Sequence, residues 1–473
     1  MKRDEFRRHA HELVDWMADY LESIESYPVK SPVSPGDIRD RLPADPPADG
    51  EPFGDIFADF QRIIMPGMTH WQHPSFFAYF PANSSPPSVL AEMLTATLAA
   101  QCMIWQTSPA AAELEERMMT WLRDMLGLPQ DFHGVIHDTA STATLCALLT
   151  ARERATAYRV NREGMSGEAR FTTYASEQTH SSIDKAVRIA GLGDGNLRKV
   201  AVDDAWAMDP AALEAAIRAD REAGHHPLCV FATLGTTGST AMDPLAEIGA
   251  ICNREGIWCH VDAALAGSAL ILPEMRHLAR GMEFADSFVF NPHKWLLTNF
   301  DCSAFFVRDK AALLRTFEIM PAYLKTAEDR QVNNYRDWGI ALGRRFRALK
   351  LWFVIRSYGV AGLQKMLRTH IDLAGRFAEW VDAHPDFERV APVPLNTVCF
   401  RYRPAGVASD DLDALNSALL ERLNASGALY LTGTRLGDCQ VLRMVVGQAY
   451  VEARHVERAW ERIQACAQAL DRG

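Results

Sequence analysis

Asn291-Pro292-His293-Lys294-Trp295 follows the apolar run Ser287-Phe288-Val289-Phe290 and leads into another, Trp295-Leu296-Leu297. A lysine ammonium is costly to desolvate and is rarely buried. A lysine set among strand-like apolar residues is either a snorkelling side chain at a strand end or a group kept there for its chemistry. A desolvated lysine loses its proton more readily and can condense with an aldehyde to a Schiff base. The pentapeptide alone leaves both readings open.

Outward from this stretch, helical patterns alternate with short apolar runs between about residues 86 and 310. The runs are Gly134–Ile136, Phe171–Ala175, Lys199–Val202, Leu228–Leu234, Trp258–Val261, Ser287–Phe290 and Ala304–Val307. Leu114–Leu126 and Thr144–Thr156 have helical spacing. Such alternation predicts an α/β fold with a mostly parallel sheet, in which ligands bind beyond the carboxyl ends of the strands. Residues 5–25 read as an amphipathic helix, with Phe6, Leu13, Val14, Met17, Tyr20 and Leu21 on one face. A proline-rich, irregular stretch from Tyr27 to Phe53 follows. This arm has no core of its own and is expected to pack on something else, a partner subunit among the candidates. Beyond residue 361, helices over Leu363–His384, Ser409–Ala425 and Val451–Asp471 flank strand-like pieces at Thr397–Tyr402, Ala428–Leu431 and Gln440–Val446. The expected division is an N-terminal helical segment (1–85), a large central domain (86–360) and a small α+β domain (361–473).

The chain has 473 residues, 48% of them hydrophobic, and a net charge of −11. That is enough apolar content for a large core. An acidic balance argues against a nucleic-acid partner, which would call for a basic patch. No apolar run reaches about 18 residues, so no membrane span is expected. The nine cysteines include no CxxC pair and most lie inside apolar runs. They read as reduced thiols of a cytoplasmic protein, with no metal site expected. The N-terminus is charged throughout and has no apolar leader segment.

Polar groups cluster at the predicted strand ends. Asp262 closes the run His260-Val261-Asp262, and the strand period of two puts His260, Asp262 and Ala264 on one face. A carboxylate there can hold a protonated pyridine-type nitrogen beside a small residue that lets a flat ring approach; the plainer reading is a helix cap. The 32-residue spacing from Asp262 to Lys294 fits one crossover and the next strand. Thr139-Ala140-Ser141 heads a helix, where free amides suit a phosphate or, more simply, a cap. Leu234-Gly235-Thr236-Thr237-Gly238 is another hydroxyl- and glycine-rich strand end, and His180 follows the run Phe171–Ala175, where an imidazole can stack on a flat ring or simply start a helix.

At this point the residues resemble those of the group II pyridoxal phosphate (PLP)-dependent amino-acid decarboxylases, and among them most closely the aromatic-L-amino-acid decarboxylases. The resemblance runs through Ile64–Trp71, Phe76–Pro81, the block His260–Cys302, Tyr335-Arg336 and Leu342–Arg347. It implies the PLP-dependent transferase fold type I, with a mostly parallel seven-stranded sheet flanked by helices. It also implies an N-terminal segment swapped across an obligate homodimer, PLP as cofactor and an amino acid as substrate. By this likeness Lys294 is the Schiff-base lysine, Asp262 the pyridinium partner and His180 the ring-stacking residue. Thr139, Ala140, Ser141 and Asn291 stand at phosphate-site positions, with His293 beside the lysine, and Thr237 and Ala264 line the cofactor. Tyr323, in Pro321-Ala322-Tyr323-Leu324-Lys325, stands where the family has a loop tyrosine that protonates carbon after CO₂ leaves.

The resemblance also implies a substrate pocket. Trp71, Phe80, Pro81 and Gly343 match pocket positions, and the bare Gly343 leaves room for a large ring. Ala82, Gln101, Met103 and Leu265 depart from the more usual threonine, bulky apolar, aromatic and tyrosine residues, which leaves the preferred amino acid open. The expected reaction is decarboxylation of an aromatic L-amino acid (Trp, Phe, Tyr or Dopa) to its amine. The alternatives are an aromatic aldehyde synthase, against which Tyr323 and His180 speak, a decarboxylase of another L-amino acid, and a non-catalytic PLP-binding protein.

Overall fold

Each of the seven central apolar runs becomes a strand of one sheet in the computed structural model, which describes residues 1–167, 169–319 and 331–471. The strands are β1 (His133–His137), β2 (Phe171–Ser176), β3 (Leu197–Val200), β4 (His226–Thr233), β5 (Trp258–Asp262), β6 (Ser287–Phe290) and β7 (Ser303–Val307). They lie in the order β1-β7-β6-β5-β4-β2-β3. Only β7 runs against the rest: it is antiparallel to both β1 and β6, while β6, β5, β4, β2 and β3 pair in parallel. The carboxyl ends of β1, β6, β5, β4 and β2 therefore share one edge.

Strands β4, β6 and β7 are apolar along most of their length because both faces are covered. On one face Val135, Phe231, Val289 and Phe305 pack with Ala143, Leu148 and Ala151 of the helix Ala140–Ala155 and with Ile183 and Val187 of the helix Ser182–Ile189. The alternate residues Phe288, Phe290 and Phe306 form a second aromatic cluster and are fully buried too.

The residues fall into two compact units: Ala82–Ala374 with Ala391–Val398, and Met1–Pro81 with Gly375–Val390 and Cys399–Gly473. A second sheet has the order β10-β11-β9-β8, from β8 (Phe387–Arg389), β9 (Thr397–Tyr402), β10 (Thr432–Leu436) and β11 (Cys439–Val445). The N-terminal helix, Arg3–Glu22, buries none of its residues in this chain. All nine cysteines are free.

Three segments differ from their sequence reading. The strand expected at Lys199–Val202 is shifted to Leu197–Val200, because Val202 leaves the sheet to bridge Met208 across a tight turn in which Trp206 has φ +66°. Ala428–Leu431 is not a strand. Tyr430 makes a single bridge to Phe76, and Asn424 holds Leu431 through both its N–H and its carbonyl. The helix expected from Leu363 belongs to Arg347–Ala383, which is broken at Gly359 (φ 65°, ψ 166°). The glycine hid the first half of that segment, since it reads as a stop signal.

Gly281 has φ +99°, and a Cβ there would fall 2.4 Å from Ala246 Cα. Gly281→Ala should therefore lower unfolding stability by about 2 kcal/mol or more, measured as a fall in the urea midpoint. Burial holds the His260 imidazole down at about 4, against the opposing pull of Asp262. Its folded pKa lies below its unfolded one, so the unfolded chain binds the extra proton and stability is lost as pH falls below about 6.5. Asp243, raised by burial to about 7, acts in the opposite sense, so the comparison must isolate one group. Relative to His260→Gln, the wild type should lose about 1 kcal/mol between pH 7 and pH 5.5, read from paired urea titrations.

Candidate active site

The parallel ladder sets the positions of the polar groups. Thr233 pairs with Asp262, and Asp262 with Val289. Past the strand ends the pattern continues, with Asn291 N–H donating to Ala264 O at 3.0 Å and Leu234 N–H to Asp262 O at 2.9 Å. Lys294 follows β6 directly, in the single turn Pro292–Trp295. Thr237 follows β4, His180 follows β2, and Thr139, Ala140 and Ser141 follow β1. Thus the sequence-predicted residues Lys294, Asp262, His180, Thr139, Ala140, Ser141, Thr237, Ala264, Asn291 and His293 all stand at one edge of the sheet.

Asp262 is buried, and its Oδ1 accepts the Ala264 N–H at 3.0 Å, so it closes the local turn that the capping reading anticipated. Lys294 is partly exposed, between buried neighbours. Trp295 is fully buried and donates from Nε1 to His370 Nδ1 at 2.9 Å, which fixes the backbone immediately after the lysine. His293 Nδ1 accepts the Cys302 N–H at 2.9 Å, and its ring lies 4.7 Å from that of Phe300. Burial, reinforced by the Lys294 charge, pushes the His293 imidazole down to about 3. Asn291 accepts from Ser303 Oγ at 2.6 Å. The His180 ring is exposed in the single chain; partial desolvation is the first cause that lowers its pKa, with Asp262 opposing that shift and Lys294 adding to it.

Thr139 caps the helix Ala140–Ala155. The first amides of a helix have no intrahelical acceptor and carry the positive end of its dipole. An amine, a buried carboxylate two residues from a small alanine, and a helix N-terminus form a donor set that fits PLP, with its aldehyde, ring nitrogen and phosphate.

Several groups that hold this edge were missed in the sequence. Asp243 is buried and accepts from Met208 N–H at 2.8 Å and from Thr233 N–H at 2.7 Å, clamping the turn that carries Thr237. His260 spans Ser287 Oγ (2.8 Å) and Thr144 Oγ1 (3.2 Å), joining β5 to β6 and to the helix Ala140–Ala155. Ser182 contacts His180. The only sequence signal for these was a polar residue within an apolar context.

The predicted pocket residues fall in both units. In one, the Trp71 ring lies 4.5 Å from Phe76 and stacks on Tyr79 at 5.7 Å, the Arg443 guanidinium stands 5.3 Å over Phe80, and Pro81 is buried. In the other, Gln101 Oε1 accepts the Arg344 N–H at 2.7 Å, and a Cβ on Gly343 would come within 3.3 Å of Gln101 Nε2. Met103 offers its carbonyl to Arg336 N–H at 2.9 Å, and Ala82 is partly buried. Arg344 is locked in turn by Glu115 Oε1 (2.6 Å) and Ile136 O (2.8 Å). Gly343 and Arg344 line a cavity of about 270 Å³ with His137, Asp138 and Thr142. Tyr323 lies outside the described residues.

Comparison with known proteins agrees with this donor set. Residues 35–403 match the pyridoxal-dependent decarboxylase conserved domain. The chain is 46% identical to an aromatic-L-amino-acid decarboxylase of Sus scrofa, over 99% of this chain and 98% of that protein. It is 42% identical to a phenylacetaldehyde synthase of a Rosa hybrid cultivar, over 99% and 94% of the two chains. Among solved structures, Oryza sativa TDC with PLP and tryptamine superposes with a TM-score of 0.96 at 39% identity, covering 99% of each chain. A family-domain match over most of the chain, with full-length likeness to a decarboxylase and to a solved fold, places the chain in one family: it belongs to the pyridoxal-dependent decarboxylases, with PLP as its cofactor.

Proposed function

We propose that this enzyme decarboxylates aromatic L-amino acids to the corresponding amines. The observation that carries the reading is the placement of Lys294, Asp262 and His180 at the ends of β6, β5 and β2, in a chain whose full-length relatives include an enzyme for aromatic L-amino acids. PLP, when bound, supplies a protonated heterocycle that takes up the electron pair of the broken carboxyl bond.

The protein's own groups divide the remaining work. Lys294 Nζ would hold the cofactor covalently and exchange it for the substrate amine. Asp262, buried and turned by the Ala264 amide, would keep a proton on the ring nitrogen. The amides and hydroxyls of Thr139, Ala140 and Ser141, with Asn291, would hold the phosphate end, and His293 would lie against the cofactor beside the lysine. Thr237 and Ala264 would line the ring, and His180 would cover it. Tyr323 is assigned the proton donor, delivering from its Oη to the α-carbon after CO₂ departs; this assignment rests on the sequence. Trp71, Phe80, Pro81, Ala82, Gln101, Met103 and Gly343 are assigned to the substrate side chain, with the bare Gly343 admitting a large ring.

An N-terminal helix with no buried residue, and with Phe6 60% exposed, supports an obligate homodimer in which residues 1–85 cover a second copy. The functional division at 1–85, 86–360 and 361–473 goes with that reading. Nine free thiols support a cytoplasmic setting. The Rosa relative supports a second reading, an aldehyde synthase. Tyr323 argues against it, and the product decides.

Lys294→Ala should reduce CO₂ release from L-tryptophan, L-phenylalanine, L-tyrosine and L-Dopa by roughly a thousandfold or more; near-normal turnover would remove Lys294 from the mechanism. Tyr323→Phe should divert product, with consumption of O₂, from amine toward aldehyde, ammonia and peroxide. An unchanged amine yield, measured by chromatography, would take the proton-donor role from Tyr323.

A further inference from the structure

Two groups of Ser182 meet the His180 ring. The Ser182 backbone N–H donates to Nδ1 at 3.1 Å, and Ser182 Oγ lies 2.8 Å from the same atom. A backbone amide has a hydrogen to give and no lone pair with which to accept one. Nδ1 must therefore carry the lone pair, the proton of the neutral ring must sit on Nε2, and the hydroxyl must be donating. Ser182 is buried and opens the helix Ser182–Ile189, so the contact is set by the fold. His293, the residue before Lys294, shows the same pattern, with the Cys302 amide donating to its Nδ1 at 2.9 Å.

We propose that Ser182 is a positioning residue that fixes His180 as a neutral Nε2–H donor, so that this imidazole offers the site an N–H and not a base. The proposal deepens the function given above and rests on His180 belonging to that site. The charged groups that act on the ring are Asp262 at the end of β5, Lys294 after β6, and Asp184 and Lys185 of the following helix Ser182–Ile189. Asp262 and Asp184 draw a proton toward the ring, the two lysines repel it, and a second ring proton would have to break the Ser182 amide contact at Nδ1 and turn the hydroxyl from donor to acceptor.

The test uses the PLP-loaded enzyme labelled with ¹⁵N-histidine. Long-range ¹H–¹⁵N spectra report the tautomer, and His180 is identified by the signal missing in His180→Gln. The wild type should show Nε2–H at neutral pH. In Ser182→Ala the proton affinity of His180 should rise roughly three- to tenfold, the worth of one neutral hydrogen bond. The acid limb of the kcat/KM profile should move upward with it, and Ser182→Thr should restore both. An Nδ1–H tautomer in the wild type, or a His180 titration unchanged in Ser182→Ala, would overturn the proposal. If His180→Gln instead decarboxylates at the wild-type rate, the placement of His180 at the site fails, while the spectra still decide the tautomer.

Discussion

The register of β4, β5 and β6 is the constraint on which everything else depends. A parallel ladder gives no freedom to its strand ends. Once Thr233, Asp262 and Val289 are aligned, Asn291 is drawn against Ala264, and Lys294 comes to stand beyond the neighbouring strand end from Asp262. A slip by one residue would turn every side chain to the opposite face, sending Asp262 into the core and an apolar valine toward the ligand. The fully buried phenylalanines of β6 and β7 make such a slip costly, since each large apolar side chain contributes about 2 kcal/mol on burial. Core packing and the position of the chemistry are set by one feature.

That edge gathers polar groups that a core would otherwise exclude. Asp243 is fully buried, and its carboxylate accepts two backbone amides. His260 has a hydroxyl at each ring nitrogen. Trp295 answers His370. Each satisfied pair removes a desolvation penalty and fixes one strand end. The arrangement thus holds rigidly the groups that must meet a cofactor, while Lys294 itself keeps partial access to solvent.

Most strands of the large sheet were legible because they are short, largely apolar runs with clear punctuation, and β6 coincides with its sequence reading residue for residue. The candidate residues were legible for a related reason: chemistry sits where polar residues interrupt such runs. Local readings failed where a contact outside the sheet, near or far in sequence, decides the outcome. Val202 has strand character but pairs with Met208, and Tyr430 has it too but finds Phe76, more than 350 positions away in the sequence. Asp243 reads as a solvent-facing turn residue until the fold brings the Met208 amide to it. His180 reads as a helix-start residue or a stacking ring, and the fold adds that its Nδ1 receives the Ser182 amide. Periodicity and punctuation carry the architecture; hydrogen-bond partners across crossovers do not appear in any window of sequence.

The central claim is that a single amino group anchors the cofactor. Borohydride reduction of the PLP-loaded protein, followed by proteolysis and mass mapping, tests it most directly. One pyridoxyl label per chain, on the peptide carrying Asn291-Pro292-His293-Lys294-Trp295, is the predicted result. A label on any other lysine, or no label in protein that retains bound PLP, would contradict it.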